Sequence, residues 1–256
     1  MTLRKKKFIL VFTTTIICLL LTISTHMNNI QKNSQAFTPL ITSLKDAGDI
    51  KASRFAYLTF DDGPTYVVTD ALLDVLKKEN VKATFFVVGK EIEGKERILK
   101  RIYSEGHSLG LHTYSHNFKK IYRSTGDFID EMAKTSNKVE EVTGYAPKII
   151  RFPGGSAKRL NASTLDKLHE NNFKVYDWNV NICDGINPNL SVSELIKNAK
   201  TIKGNKDEAI VLMHCNFNNK NTVKALPEII KYYHQLGYEF KAITKDTPEY
   251  YYKFRN

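Results

Sequence analysis

The sequence predicts an α/β fold whose parallel strands close into a (β/α) barrel. Three observations carry that expectation. From Arg54 onward, short β-favouring runs alternate with amphipathic helical stretches, which argues for parallel pairing. The residues with chemistry to offer (Asp61, Asp62, His112, Arg151, Asp184 and His214) fall at the carboxyl ends of strand candidates, the rim where a barrel builds its site. A doubly wound open sheet would also collect residues at strand ends, but no glycine-rich phosphate loop follows the first strand.

The amino terminus comes first in order. Arg4-Lys5-Lys6-Lys7 precedes Phe8 to Ile23, an uncharged and mostly apolar run of sixteen residues. A charged segment before an apolar one is the layout of a secretory signal. The run is short for a membrane span, yet flanking Thr, Ser and Met bring it within reach of an anchor. Ser24-Thr25-His26 is a poor cleavage signal, and Ile17 before Cys18 argues against lipoprotein processing. The basic cluster keeps the N-terminus cytoplasmic and sends the rest outside. We expect residues 1–27 to be a signal segment or membrane anchor, an uncleaved anchor being preferred, and residues 28–51 a polar linker. A single catalytic domain, residues 52–256, would then be extracytoplasmic, anchored to the membrane or secreted.

Within that domain, Ala56-Tyr57-Leu58-Thr59 runs into two carboxylates and stops at Gly63-Pro64, so the first strand spans Phe55–Phe60. Val68, Leu72, Val75 and Leu76 give the helical stripe of Val67–Glu79. Ala83–Val88 is a buried strand bounded by Gly89. A helix over Lys95–Glu105 ends at the capping glycine Gly106, and His107–Leu111 is a short strand. Asp127 opens a long helix that stops at Gly144. Lys148–Phe152 is a strand before Pro153-Gly154-Gly155, Asn161–Asn172 a helix and Lys174–Val180 a strand. Ser191 and Glu194 form a capping box that starts the next helix. Ala209–Met213 is a strand, Val223–Leu236 a helix and Tyr238–Ile243 the last strand, seven strands in all.

Composition narrows the function classes. With 42% hydrophobic and 25% charged residues, the chain of 256 residues is ordinary for a globular protein. Its formal charge of +11 draws it to an anionic partner: nucleic acid, a lipid surface or an acidic wall polymer. No basic run is interleaved with aromatics, so nucleic acid is set aside. We expect a monomer. Cys18, Cys183 and Cys215 make no disulfide framework. Two small buried thiols is the preferred reading of Cys183 and Cys215, with a bridge between them left open.

Asp61 and Asp62 repel each other unless something positive sits between them. His112-Thr-Tyr-Ser-His116, on one helical turn or in a loop, offers two imidazoles. Two imidazoles and one carboxylate make a facial metal site with open positions. With Asp62 as the third ligand, Asp61 remains as a general base for an activated water, and His214 supplies a proton donor. That set describes hydrolysis of an acyl group. A non-haem Fe(II) oxygenase uses the same ligand types but leaves Asp61, Arg151 and His214 without a task.

Five segments in order, Thr59-Phe-Asp-Asp-Gly-Pro64, His112-Thr-Tyr-Ser-His116, Arg151-Phe-Pro-Gly-Gly155, Trp178-Asn-Val-Asn-Ile-Cys-Asp184 and Leu212-Met-His214, resemble the polysaccharide deacetylases of the NodB-homology type, carbohydrate esterase family 4. The resemblance covers roughly Arg54 to Ala242. It implies a distorted (β/α)7 TIM-like barrel that removes N-acetyl groups from cell-wall amino sugars, with peptidoglycan N-acetylglucosamine as substrate. It implies Asp61 as base, Asp62, His112 and His116 as ligands of a divalent metal, and His214 as acid. Zinc is the first choice, with cobalt, nickel or manganese as other candidates. Arg151 would pair with Asp61, Asp184 would contact His214, and the main-chain amide of Gly154 would hold the oxyanion. Trp178 either packs in the core or stacks on a sugar. Two departures stand out: Gly154 replaces a common aromatic, removing a side wall of the pocket, and Asn181 and Gly185 stand where an acid and a tryptophan are common. An O-acetyl ester deacetylase and a wall-binding protein without activity are the competing readings.

Overall fold

In the computed structural model, which describes residues 54–253, β1 (Arg54–Asp61) runs up the middle of the sheet. The expected anchor, the linker and Cys18 lie outside the described residues. Six of β1's eight residues are buried, because both of its edges and both of its faces are covered. On one side it pairs with β7 (Glu208–His214), from Phe55 opposite Glu208 to Asp61 opposite His214. On the other side, its carboxyl half pairs with β2 (Thr84–Val87) and its first residues with β8 (Tyr238–Phe240). Beyond β2 lie β3 (Ser108–Leu111), β4 (Ile149–Ile150) and β5 (Lys174–Val175), and beyond β7 lies β6 (Val180–Asn181). Every pairing is parallel, so all carboxyl ends open on one rim.

The helices follow the expected periodicity, with shifted ends. α1 (Val68–Lys78) buries Val68, Leu72, Leu73 and Leu76. Each such side chain contributes about 1.5–3 kcal/mol by leaving water, and truncating Leu72 to alanine would cost about 2–5 kcal/mol with the cavity it leaves. α2 (Glu96–Ser104) is followed by Gly106 at φ 79°, and α3 (Phe118–Ile121) is a single turn. α4 (Thr125–Thr143) starts ahead of Asp127, because Ser124 is the cap and accepts the Asp127 N–H at 3.0 Å. α5 (Ala162–Glu170) is capped by Asn161, and α6 (Val192–Ala199) carries both bonds of the Ser191–Glu194 capping box. α7 (Lys220–Gln235) continues through Pro227.

The architecture is an α/β half-barrel of parallel strands. The strand expected over Lys174–Val180 is two short strands, β5 and β6, at opposite edges of an eight-stranded sheet. Side chains between them tie the neighbouring segments together. The Asp177 carboxylate accepts the N–H groups of Ser156 and Tyr252 at 3.0 and 2.9 Å. Asn179 accepts the Ile210 N–H at 2.7 Å and donates to the Glu208 carbonyl at 2.6 Å. The run's own N–H groups go to three different segments, Tyr176 to the Ile150 carbonyl, Asp177 to Tyr250 and Asn179 to Ile210, so it changes partners midway and does not form one ladder. β4 and β8 are likewise shorter than the runs expected over Lys148–Phe152 and Tyr238–Ile243. Cys183 and Cys215 are free thiols; Cys215 is buried and Cys183 only half-buried.

Candidate active site

β1 ends at Asp61, and Asp62 turns at once into a left-handed φ of 75°. Aspartate tolerates that region better than most side chains. The turn brings both carboxylates over one rim. β3 delivers His112, and the loop that follows holds Thr113 and His116 at φ 64° and 51°. The histidine pair therefore sits in a loop. Non-glycine residues in such conformations cost about 1–3 kcal/mol each and persist where their surroundings over-determine them. Buried Glu131 of α4 does so here, its Oε2 accepting the N–H groups of Tyr114 and Ser115 at 3.0 and 2.6 Å. Thr113 Oγ1 accepts the His116 N–H at 3.2 Å.

His112 Nε2 and His116 Nε2 lie 3.5 and 3.4 Å from Asp62 Oδ1. These separations exceed ordinary hydrogen bonds, and Oδ1 is buried with no hydrogen-bond partner. One atom from each residue, all within 4.8 Å of one another, leaves a shared space that fits a divalent cation. The far side of two of the three candidate ligands is fixed. His112 Nδ1–H donates to the Arg151 carbonyl at 2.9 Å, which turns the Nε2 lone pair inward, and Asn216 Nδ2 donates to Asp62 Oδ2 at 2.8 Å. Burial pushes the His112 pKa down to about 3, over the opposing pull of Asp62. A neutral imidazole is the form that binds a metal.

Asp61 is held from behind. Its Oδ1 accepts from Arg151 Nη1 at 2.9 Å, while Oδ2 lies 3.7 Å from His112 Nε2. Arg151 is itself fully buried, and besides Asp61 it donates to Thr59 Oγ1 (2.6 Å), the Tyr176 carbonyl (2.8 Å) and the Asp177 carbonyl (3.0 Å). Burial raises the Asp61 pKa, and the charges of Arg151, His214 and His116 oppose the rise. Across the rim, His214 Nδ1 lies 2.8 Å from Asp184 Oδ1. Burial works against the imidazolium, but the hydrogen bond and charge of Asp184, helped by Asp61 and Asp62, push His214 up to about 9.

These groups share a cavity of about 330 Å³, also lined by Phe118, Gly154, Trp178, Asn181 and Ile186. Gly154 turns with φ 76°, and its N–H has no protein acceptor among the described residues. The wall expected to be missing beside Gly154 is filled from the start of α3. A Cβ on Gly154 would lie 3.3 Å from the Phe118 ring, which also stands edge-on to His116 with centroids 5.4 Å apart. Trp178 packs edge-on against Tyr252 at 5.6 Å and lines the cavity, so it serves both readings given above. A Cβ on Gly185 would lie 2.3 Å from the His214 ring, so a larger residue there would displace the imidazole.

Residues 49–176 match the family model for polysaccharide deacetylase. The chain belongs to the polysaccharide deacetylase family. It is 34% identical over 201 residues to a peptidoglycan-N-acetylglucosamine deacetylase of Bacillus cereus, covering 77% of this chain and 72% of that protein. Among solved structures, the polysaccharide deacetylase Bc1974 from Bacillus cereus superposes with a TM-score of 0.70 at 34% identity, covering 76% of this chain and 94% of that one. A Streptococcus mutans CE4 esterase gives 0.69 at 32% identity, covering 74% and 86%. The expectation drawn from the five segments holds at the level of the family, and this polysaccharide deacetylase is a hydrolase.

All nine residues singled out in the sequence lie on this rim or directly behind it. Sequence reading missed Phe118, Asn216, Thr59 and Glu131. Phe118 and Asn216 each follow a site histidine by two positions, but no spacing rule marks them. Thr59 and Glu131 are second partners whose roles exist only once the loops are folded.

Proposed function

We propose that this polysaccharide deacetylase removes N-acetyl groups from cell-wall amino sugars, with peptidoglycan N-acetylglucosamine as substrate and a divalent metal, zinc first, as cofactor. One observation carries the reading: a buried, unpartnered Asp62 oxygen faces two imidazole nitrogens beside a second carboxylate that is not needed as a ligand. The Bacillus cereus relative bearing the name peptidoglycan-N-acetylglucosamine deacetylase supports the choice of sugar.

Asp62, His112 and His116 would hold the cation, which would supply Lewis acidity to the acetamide carbonyl and to an attacking water, whose pKa would fall from about 16 towards about 7. Asp61 keeps Oδ2 free because Arg151 occupies Oδ1, so it can take the proton as water attacks. The raised pKa makes it a better base once ionised. The developing oxyanion is within the province of the Gly154 N–H, a main-chain donor with no competing acceptor. His214 gives its Nε2 proton to the departing amine, since an amide nitrogen cannot leave as an anion. That requirement favours the amide over the ester substrate, because an alkoxide has less need of a proton held ready by Asp184.

The segment Arg4–Ile23 supports an extracytoplasmic site of action, on a membrane anchor and a linker. Fractionation tests this, and full-length protein in the cytosol would overturn it. The activity is tested by acetate release from chitooligosaccharide and from peptidoglycan, with and without chelator. Release from either that stops with chelator is expected; chelator-resistant release, or none from wild-type enzyme with metal restored, would overturn the reading.

A further inference from the structure

Phe118 lines the reaction cavity and touches the wall of a second one. One side of it faces the reaction cavity with His116 and Gly154. On the other side its ring stands edge-on to Tyr122 at 5.7 Å, and Tyr122 lines a second cavity of about 230 Å³ with Phe128, Phe152, Lys158, Arg159 and Asn161. The two linings have no residue in common but adjoin at Pro153. Phe152 lines the second and Gly154 the first, and the Tyr122 hydroxyl donates to the intervening Pro153 carbonyl at 2.6 Å. Tyr122, Phe128 and Phe152 stack on one another, with Phe128 and Phe152 centroids 4.2 Å apart, so the floor is rigid and aromatic. Phe128 and Phe152 are buried and Tyr122 is half-buried, so Tyr122 is the ring the cavity can expose.

The charge of the second cavity is the decisive feature. Neighbouring cations are neutralised: Arg123 Nε bonds Asp127 at 3.0 Å, and Lys120 pairs with Glu131 at 2.8 Å. Lys158 and Arg159 are exposed and face no carboxylate among the described residues. The Arg159 guanidinium instead lies over the Tyr122 ring, 4.1 Å from its centroid. Stacking there fixes the fork at the cavity wall while its N–H groups stay free for an anion.

We propose that this cavity is a second substrate subsite, which takes a carboxylate-bearing substituent of the glycan next to the reacting sugar. The inference rests on the reading of the reaction cavity above. A neutral chitin-type chain offers nothing to Lys158 and Arg159. Peptidoglycan does, since its alternate sugars carry lactyl groups extended by acidic peptides. Phe118 lies on the path from the reacting sugar to its neighbour, and the anion meets the Arg159 guanidinium stacked on Tyr122.

The test measures binding separately from turnover. Full-length protein is titrated calorimetrically with a neutral chitotetraose and with a tetrasaccharide whose alternate sugars carry lactyl-peptide carboxylates. Wild-type protein should bind the acidic glycan more tightly, and the preference should shrink with salt. Lys158→Ala/Arg159→Ala should weaken the acidic glycan about tenfold and leave chitotetraose unchanged. A charge-matched control, Lys200→Ala/Lys206→Ala, removes two cations from a cavity at the opposite end of β1, beside Arg54. It should change neither affinity. Equal affinity of wild-type protein for the two glycans, equal weakening of both in the first variant, or the same shift in the control would overturn the subsite. Failure to release acetate from either glycan would count against the deacetylase reading alone, because the binding comparison does not depend on turnover.

Discussion

Asp184 grips His214 at two points: Oδ1 lies 2.8 Å from Nδ1, and Oδ2 accepts the His214 backbone N–H at 2.9 Å. The same Oδ2 accepts the Thr222 hydroxyl at 2.7 Å, so the carboxylate cannot turn away from the ring. Its hydrogen bond and then its charge, helped by Asp61 and Asp62, lift His214 to about 9 against the cost of burial.

The sign of the pH dependence follows. A general acid works below its pKa and fails as pH rises through it. In Asp184→Asn the amide keeps an acceptor for Thr222 and the His214 N–H but loses the negative charge, so the His214 pKa falls. The alkaline limb of kcat/KM should move to lower pH, with metal content unchanged. A limb that stays in place while activity merely drops would leave Asp184 as a turn cap only.

Asp61→Asn should keep the metal and lose about 10²–10⁴ in kcat, the usual loss on removing a positioned base. The amide still accepts from Arg151 and cannot accept the water's proton. Metal content by atomic emission, measured beside kcat, checks this. Metal lost in step with activity would mean that the two aspartates have exchanged roles.

Asp62→Ala, His112→Ala and His116→Ala should each abolish metal binding, because three protein ligands are the minimum for a catalytic site. Asn216→Ala should weaken the metal by only about 10–100-fold, since it frees Asp62 Oδ2 without removing a ligand. Competition with a chromophoric chelator reads both effects. Full occupancy in any of the three alanine variants sinks the assignment.

Arg151→Met tests the support behind the base. The side chain is fully buried and holds Thr59, Asp61 and two carbonyls. Removing its charge leaves Asp61 buried beside nothing positive in direct contact, which should cost about 3–5 kcal/mol in urea unfolding. A loss below about 1 kcal/mol would show that the Asp61 charge is compensated from elsewhere.

Much of this was legible in the residues. Leu72 and Leu76 were marked as core by helical spacing, and Gly106 and Gly144 as helix stops by composition. Asp61, His112, Arg151 and His214 were marked by standing where a β-favouring run ends. The run Lys174–Val180 misled because β propensity does not say where a ladder's partners are. Its backbone bonds Ile150 at Tyr176 and Ile210 at Asn179, which divides it between two edges.

The sequence by itself determined the alternation of strand and helix, the rim on which the chemistry lies, and the family, because periodicity, turn residues and short motifs are local properties. Tertiary structure alone decided that Asn216 grips Asp62, a bond between residues 154 positions apart. It also decided that Phe118 supplies the wall that Gly154 lacks, and that Lys158 and Arg159 stay unneutralised beside it. Such relationships depend on how distant loops pack over the strand ends. No spacing along the chain encodes them, since only folding brings those side chains within reach of one another.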